Sequence, residues 1–207
     1  LAKKYSEYSN DPTSRVELME IYLWASKYKM AYAIADEMVS SNLLSIKDKK
    51  KVVSGLLQNR HLDHALKIIT SIRKKDDKSF YSLELGAHYS MKMNFINSLN
   101  EYLLHVNYKK KNFDLVISRL MSFPNEKELR KKIKSVLLSD KTSISLEILS
   151  NFEFKWGNYE NSYKALLDSE LGPIRIYEFG KDLISVKEFD LAEKIFGDLL
   201  KINNQDI

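Results

Sequence analysis

One phrase recurs along this chain, most completely as KEFDLAEKIFGDLL from Lys187 to Leu200. An aromatic residue is followed by two spacers, a small residue, three spacers, another aromatic, two spacers and a leucine. Versions of it stand in SKYKMAYAIADEMV, NRHLDHALKIITSI, KMNFINSLNEYLLH and WGNYENSYKALLDS. Aligned on the small residue, Ala31, Ala65, Ser98, Ser162 and Ala192 are separated by 34, 33, 64 and 30 positions. The long step is two short ones: Leu129, Ile133 and Val136 follow the turn SFPNE and fill the gap. A fixed period of this length is the mark of a repeat architecture.

Each copy is preceded by a second apolar pattern. Leu18, Met19 and Tyr22 precede Ala31; Val52, Val53 and Leu56 precede Ala65; Leu85, Gly86 and Tyr89 precede Ser98. Val116, Ile117 and Leu120 precede Leu129, and Phe179, Gly180 and Leu183 precede Ala192. Apolar residues spaced by one, three and four positions lie on one face of an α-helix, not of a strand. Every repeat therefore reads as two amphipathic helices joined by a tight turn. Helices this short are marginal alone, and stacking on the next copy buries their apolar stripes. The expected repeats are residues 12–43, 46–76, 79–109, 110–141, 143–171 and 173–203, with residues 1–9 ending a preceding one. Because the chain opens at Leu1, a segment of a longer protein with flanking repeats is expected.

These residues resemble the tetratricopeptide repeat (TPR) family. In LELGAHYSMKMNFINSLNEYLL, Leu85–Gly86, Tyr89, Phe95, Ser98 and Tyr102 fall at the family's leucine–glycine, tyrosine, aromatic, small and aromatic positions. The resemblance covers almost the whole chain. It implies an all-α, right-handed superhelical solenoid of about six antiparallel helix–turn–helix repeats that binds other proteins. There are departures. Met19, Val53, Ile117 and Ser150 replace the first-helix glycine, and Glu153 stands where an apolar residue is expected, so that Phe152 or Phe154 would take over its contact. Leu129 and Glu126 break the fourth repeat, whose hairpin is expected to splay. The lysine and asparagine set with which one TPR subtype grips a C-terminal carboxylate is absent, its places holding Val16, Glu20, Lys47 and Lys50.

The absence of cysteine removes disulfides, thiolate chemistry and cysteine-ligated metals. His61 and His64 lack a third ligand nearby, and His105 sits at a packing position. No phosphate loop, nucleophile elbow or paired metalloprotease histidines occur. No catalytic residue, metal site, cofactor or small-molecule substrate is therefore assigned. The net charge of +5 is small for 207 residues, and the clusters Lys49–Lys51, Lys109–Lys111 and Arg130–Lys132 lack interleaved aromatics, which argues against nucleic acid. No apolar run is long enough for membrane insertion.

What remains is the face of the first helices, which in a TPR stack lines a concave groove. Helical spacing places there Glu20, Leu23, Trp24, Lys50, Leu57, Gln58, Phe80, Met91, Asp114, Met121, Asn151, Phe154, Lys155, Tyr177 and Lys181. Mixed apolar anchors and lysines suit a partner peptide or amphipathic helix, although the same residues also fit inter-helix core. The expectation is a non-catalytic scaffold of a multiprotein, bacterial, cell-envelope assembly; periplasm and cytoplasm both stay open as its compartment. The alternatives are a helical-repeat RNA-binding module, and a spacer that self-associates through exposed terminal repeats.

Overall fold

The computed structural model describes residues 11–41 and 44–203; the expected tail of a preceding repeat, residues 1–9, lies outside them. The described residues form helices and no strand. The chain divides into two compact units, residues 1–81 and 82–207. The first holds α1 (Pro12–Trp24), α2 (Tyr28–Ser40), α3 (Ile46–Gln58) and α4 (Leu62–Lys75). The second holds α5 (Ser82–Met91), α6 (Phe95–Tyr108), a 3₁₀ turn at Lys110–Asn112, α7 (Phe113–Leu120), α8 (Lys127–Asp140), α9 (Ser143–Lys155), α10 (Tyr159–Asp168), α11 (Pro173–Ser185) and α12 (Phe189–Asn203). Helices pack in adjacent pairs, α1 on α2, α3 on α4, α5 on α6, α9 on α10 and α11 on α12, consistent with a helical repeat.

Five connections are copies of one turn. Ser26, Arg60, Met93, Gly157 and Lys187 each adopt a positive φ, five residues before the small residue of the second helix. The following N–H closes the turn on the carbonyl five residues back: Lys27 on Tyr22, His61 on Leu56, Asn94 on Tyr89, Asn158 on Glu153 and Glu188 on Leu183, at 2.8–3.0 Å. This left-handed C-cap satisfies carbonyls that a helix end leaves open. It also sends each second helix back along the first.

Side-chain size is matched across the hairpin. A Cβ on Gly86 would stand 2.7 Å from the Tyr102 ring, and one on Gly180 would stand 2.7 Å from the Phe196 ring. In both pairs the ring is sixteen positions after the glycine. At the same spacing α1 and α2 hold a large and a small residue, Met19 and Ala35, both buried. At the small position of the second helix, Ser98 Oγ donates to the Gly86 carbonyl and Ser162 Oγ to the Ser150 carbonyl, both at 2.7 Å. A buried serine there is satisfied by the helix it approaches.

The fourth connection departs for a steric reason. Its positive-φ position is occupied by Pro124, whose ring fixes φ near −65° and which has no N–H to donate. α8 packs along α9 and against α6 rather than along α7. Phe123 is buried instead, its ring 4.9 Å from Phe95 and 6.4 Å from Phe152. The register of α8 also differs from the expected one. Ile133 and Leu137 are its buried residues, while Leu129 and Val136 only pack against the cluster's edge. In the next hairpin Phe152 supplies the core contact. The buried Glu153 carboxylate accepts from Lys134 Nζ at 2.7 Å and Asn158 Nδ2 at 2.8 Å.

Candidate partner-binding surface

In the first unit the surface is organised by Trp24, the last residue of α1. Its indole N–H donates to Asn59 Oδ1 at 2.6 Å, and the Asn59 amide donates to the Gly55 carbonyl at 2.8 Å. Trp24 is thus held against the end of α3 while 72% exposed. Ile21 and Tyr28, also exposed, share its surroundings in sequence. Gly55 leaves room for α1: a Cβ there would stand 2.8 Å from both Met19 Cε and Glu20 Oε1. Burial raises the Glu20 pKa above the ordinary glutamate value, and Glu17 raises it further. Lys50 is half-buried, and Gln58 is exposed with its amide 3.3 Å from Ser54 Oγ. Leu23 and Leu57 are buried and belong to the core, because their spacing turns them toward neighbouring helices rather than solvent. Phe80 is buried too, and it lies in the turn before α5 rather than on a first helix.

In the second unit Met91 ends α5 and is 76% exposed. Asp114 is exposed on α7. Asn151, half-buried on α9, donates back to the Glu147 carbonyl at 2.8 Å. Beside it the Glu147 carboxylate receives Arg175 Nε of α11 at 3.4 Å. Burial holds the Glu147 pKa above its ordinary value despite the opposing pull of Arg175. Phe154 packs edge-on to Phe179 at 5.6 Å and to Tyr159 at 5.1 Å, so it is an inter-hairpin residue. Met121 is half-buried against the core. Lys155 donates to the carbonyls of Met121 at 2.8 Å and Phe123 at 2.7 Å, where it caps the end of α7. Its pKa is lowered by burial and by nearby Arg130. Tyr177 is 52% exposed, and Lys181 lies over its ring at 5.8 Å.

The surface that can meet a partner is therefore narrower than the sequence suggests. Trp24 and Gln58 of the first unit, and separately Met91, Asp114, Tyr177 and Lys181 of the second, stay exposed. Asn59, which pins Trp24, escaped the sequence reading; its signal was an asparagine closing a helix. The histidine pair is also explained. Tyr32 shares a 2.9 Å hydrogen bond with His61 Nδ1 and stacks on His64 at 4.0 Å, and His64 Nε2 lies 3.0 Å from Asp36. Among the described residues no group of three or more His, Cys, Asp or Glu is placed to hold a metal ion. No described helix is long and apolar enough to cross a membrane. Compared with known proteins, the chain matches no family model and no curated sequence.

Proposed function

We propose that this chain is a non-catalytic protein-binding scaffold built as a TPR-like, right-handed solenoid, which takes a partner peptide or amphipathic helix on the exposed ends of its first helices. The observation that carries the reading is the recurrence of one turn, with the same hydrogen bonds and the same offset to a small buried residue, at five connections. Each hairpin repeated in this way presents the same set of positions. At two of these positions, the last residue of the first helix, stand Trp24 and Met91. Tryptophan is enriched among residues that dominate binding energy, and methionine adapts to irregular apolar partners.

The test is a crosslinking pull-down with the wild-type chain, a Trp24→Glu variant and a Met91→Glu variant as separate baits. Both positions are exposed, so all three baits should give the same helical circular dichroism. A partner captured by wild type and lost with either variant supports the scaffold. A partner that binds all three equally refutes the surface. Capture of RNA, released steeply by added salt, would replace the protein-binding reading with the nucleic-acid one.

A further inference from the structure

The start of α8 and the end of α9 bring two cations together. Arg130, in the first turn of α8, holds its guanidinium 5.5 Å from the centre of the Trp156 ring, and its Nε donates to Asn125 Oδ1. Trp156 closes α9 and stacks on Phe152, with ring centres 5.3 Å apart. The adjacent Lys155 gives its ammonium group to the carbonyls of Met121 at 2.8 Å and Phe123 at 2.7 Å. Burial, and then the charge of Arg130, lower the Lys155 pKa, so the guanidinium lies within electrostatic reach of the ammonium. Asn125, Arg130, Lys155 and Trp156 thus share one corner of the second unit.

The lysines around this corner are neutralised and these two cations are not. Lys131 meets Glu128 at 2.9 Å, and Lys134 meets Glu153 at 2.7 Å. Glu126 stands four positions before Arg130, at the spacing of a helical ion pair, yet the guanidinium turns to Asn125 and Trp156 instead. Neither Arg130 nor Lys155 forms an ion pair among the described residues. The ring contact and the Asn125 bond hold the plane of the guanidinium, while Nη1 and Nη2 have no acceptor among the described residues. A fork held in this way suits two oxygens of an oxyanion. Lys155 has one N–H beyond the two that its carbonyls take, the donor for a third oxygen.

We propose that Arg130 and Lys155 form a binding site for a phosphate group, free or esterified, with Trp156 as its wall. Two cations without a carboxylate match the charge of about −1.5 to −2 that a phosphate monoester carries at neutral pH. Three donors match its three terminal oxygens. A carboxylate has one charge and two oxygens and meets only part of the set. The bound anion also offsets the repulsion between the two cations. This goes beyond the scaffold reading, because the corner lies at α8 and α9 and includes none of the residues on which that reading was tested.

In a Trp24→Phe background Trp156 is the one tryptophan, and its fluorescence reads the site directly. The full chain is titrated with inorganic phosphate, with N-acetyl-O-phosphoserine amide and with acetate, each against sodium chloride of equal ionic strength. Both phosphates should give a saturable change at millimolar concentration or below, and acetate should bind several-fold more weakly. Tighter binding of the phosphoserine derivative assigns the site to a modified partner, and equal binding assigns it to the free ion. Arg130→Gln should weaken phosphate about tenfold or more, and Arg130→Lys should recover only part of the loss, because an ammonium has no fork. Lys181→Gln, which removes an equal charge from α11, should change nothing. Phosphate should also raise the urea midpoint of the unsubstituted chain but not of Arg130→Gln, a readout that does not depend on the Trp156 signal. No effect of either phosphate on fluorescence or midpoint by about 50 mM, well above the millimolar range, overturns the proposal. So does a response that chloride reproduces, or one that Arg130→Gln and Lys181→Gln reduce alike.

Discussion

Replacing Gly86 with alanine should destabilise the second unit, although alanine is the better helix former. The propensity gain is up to about 1 kcal/mol. Against it stands a methyl group 2.7 Å from Cε1 and 2.8 Å from Cδ1 of Tyr102. That ring is fully buried, held between α5 and α6 with the Arg119 guanidinium 5.9 Å from its centre, so it cannot swing aside. Overpacking of this kind costs about 1–3 kcal/mol, which leaves a net loss of about 1–2 kcal/mol once the propensity gain is set against the upper half of that range. Tyr102→Ala alone should cost about 3–5 kcal/mol, as for other large aromatics. The exchange Gly86→Met with Tyr102→Ala reproduces the large and small residues, Met19 and Ala35, of the first hairpin, and it should recover about 1–3 kcal/mol relative to the sum of the single changes. The chain has two tryptophans, Trp24 and Trp156. In a Trp24→Phe background, Trp156, stacked on Phe152 at 5.3 Å, reports urea unfolding of the second unit by fluorescence. Stabilisation by Gly86→Ala, or strict additivity in the exchange, would refute size matching as the rule of the hairpin.

Three further outcomes follow from the same geometry. Met93→Gly should raise the urea midpoint by an amount equivalent to about 1 kcal/mol, because an exposed methionine there holds a left-handed backbone that glycine adopts without strain. Lys155→Met should lower the second unit's stability by about 1–3 kcal/mol through the two carbonyls it strands, whereas Lys181→Met should leave the midpoint unchanged. Glu147 has a folded-state pKa above its unfolded value; the folded state holds the proton more tightly, so the stability from this group is complete below the ordinary glutamate range and is lost as pH rises through the raised value. Glu147→Gln should remove that part of the slope in a pH series of urea midpoints.

The helices and their pairing were legible because spacings of three and four repeat with a fixed period. The turns were legible as turns but not in their conformation. Four of the five left-handed positions hold Ser26, Arg60, Met93 and Lys187, where no glycine announces the geometry. The surface was the least legible feature. A first helix has one apolar stripe for its own hairpin and another for its neighbour, and both recur at the same spacing. Phe154 and Tyr177 illustrate the result: both were read as groove, yet one is packed against Phe179 and Tyr159 and the other is half in solvent. Which stripe is covered depends on which helix follows, and that is a property of the assembled fold rather than of the segment.

The fourth connection shows how a single residue sets the character of a repeat. With Pro124 at the turn the positive φ is not possible, and the end of α7 is closed instead by the Met121 N–H on the Ile117 carbonyl at 2.8 Å and the Phe123 N–H on the Leu120 carbonyl at 3.0 Å. The open turn lets Phe123 enter the core, where it bridges Phe95 of α6 and Phe152 of α9. The carbonyls of Met121 and Phe123 are then taken by Lys155, more than thirty residues ahead. A long-range contact has been added to a local cap. The five other connections hold each helix to its own partner, and this one holds α7 to α9. Desolvating an ammonium group is costly, and the lowered Lys155 pKa records that cost. Closure of this hairpin thus depends on the next one being folded, which couples neighbouring repeats through backbone carbonyls as well as through apolar packing.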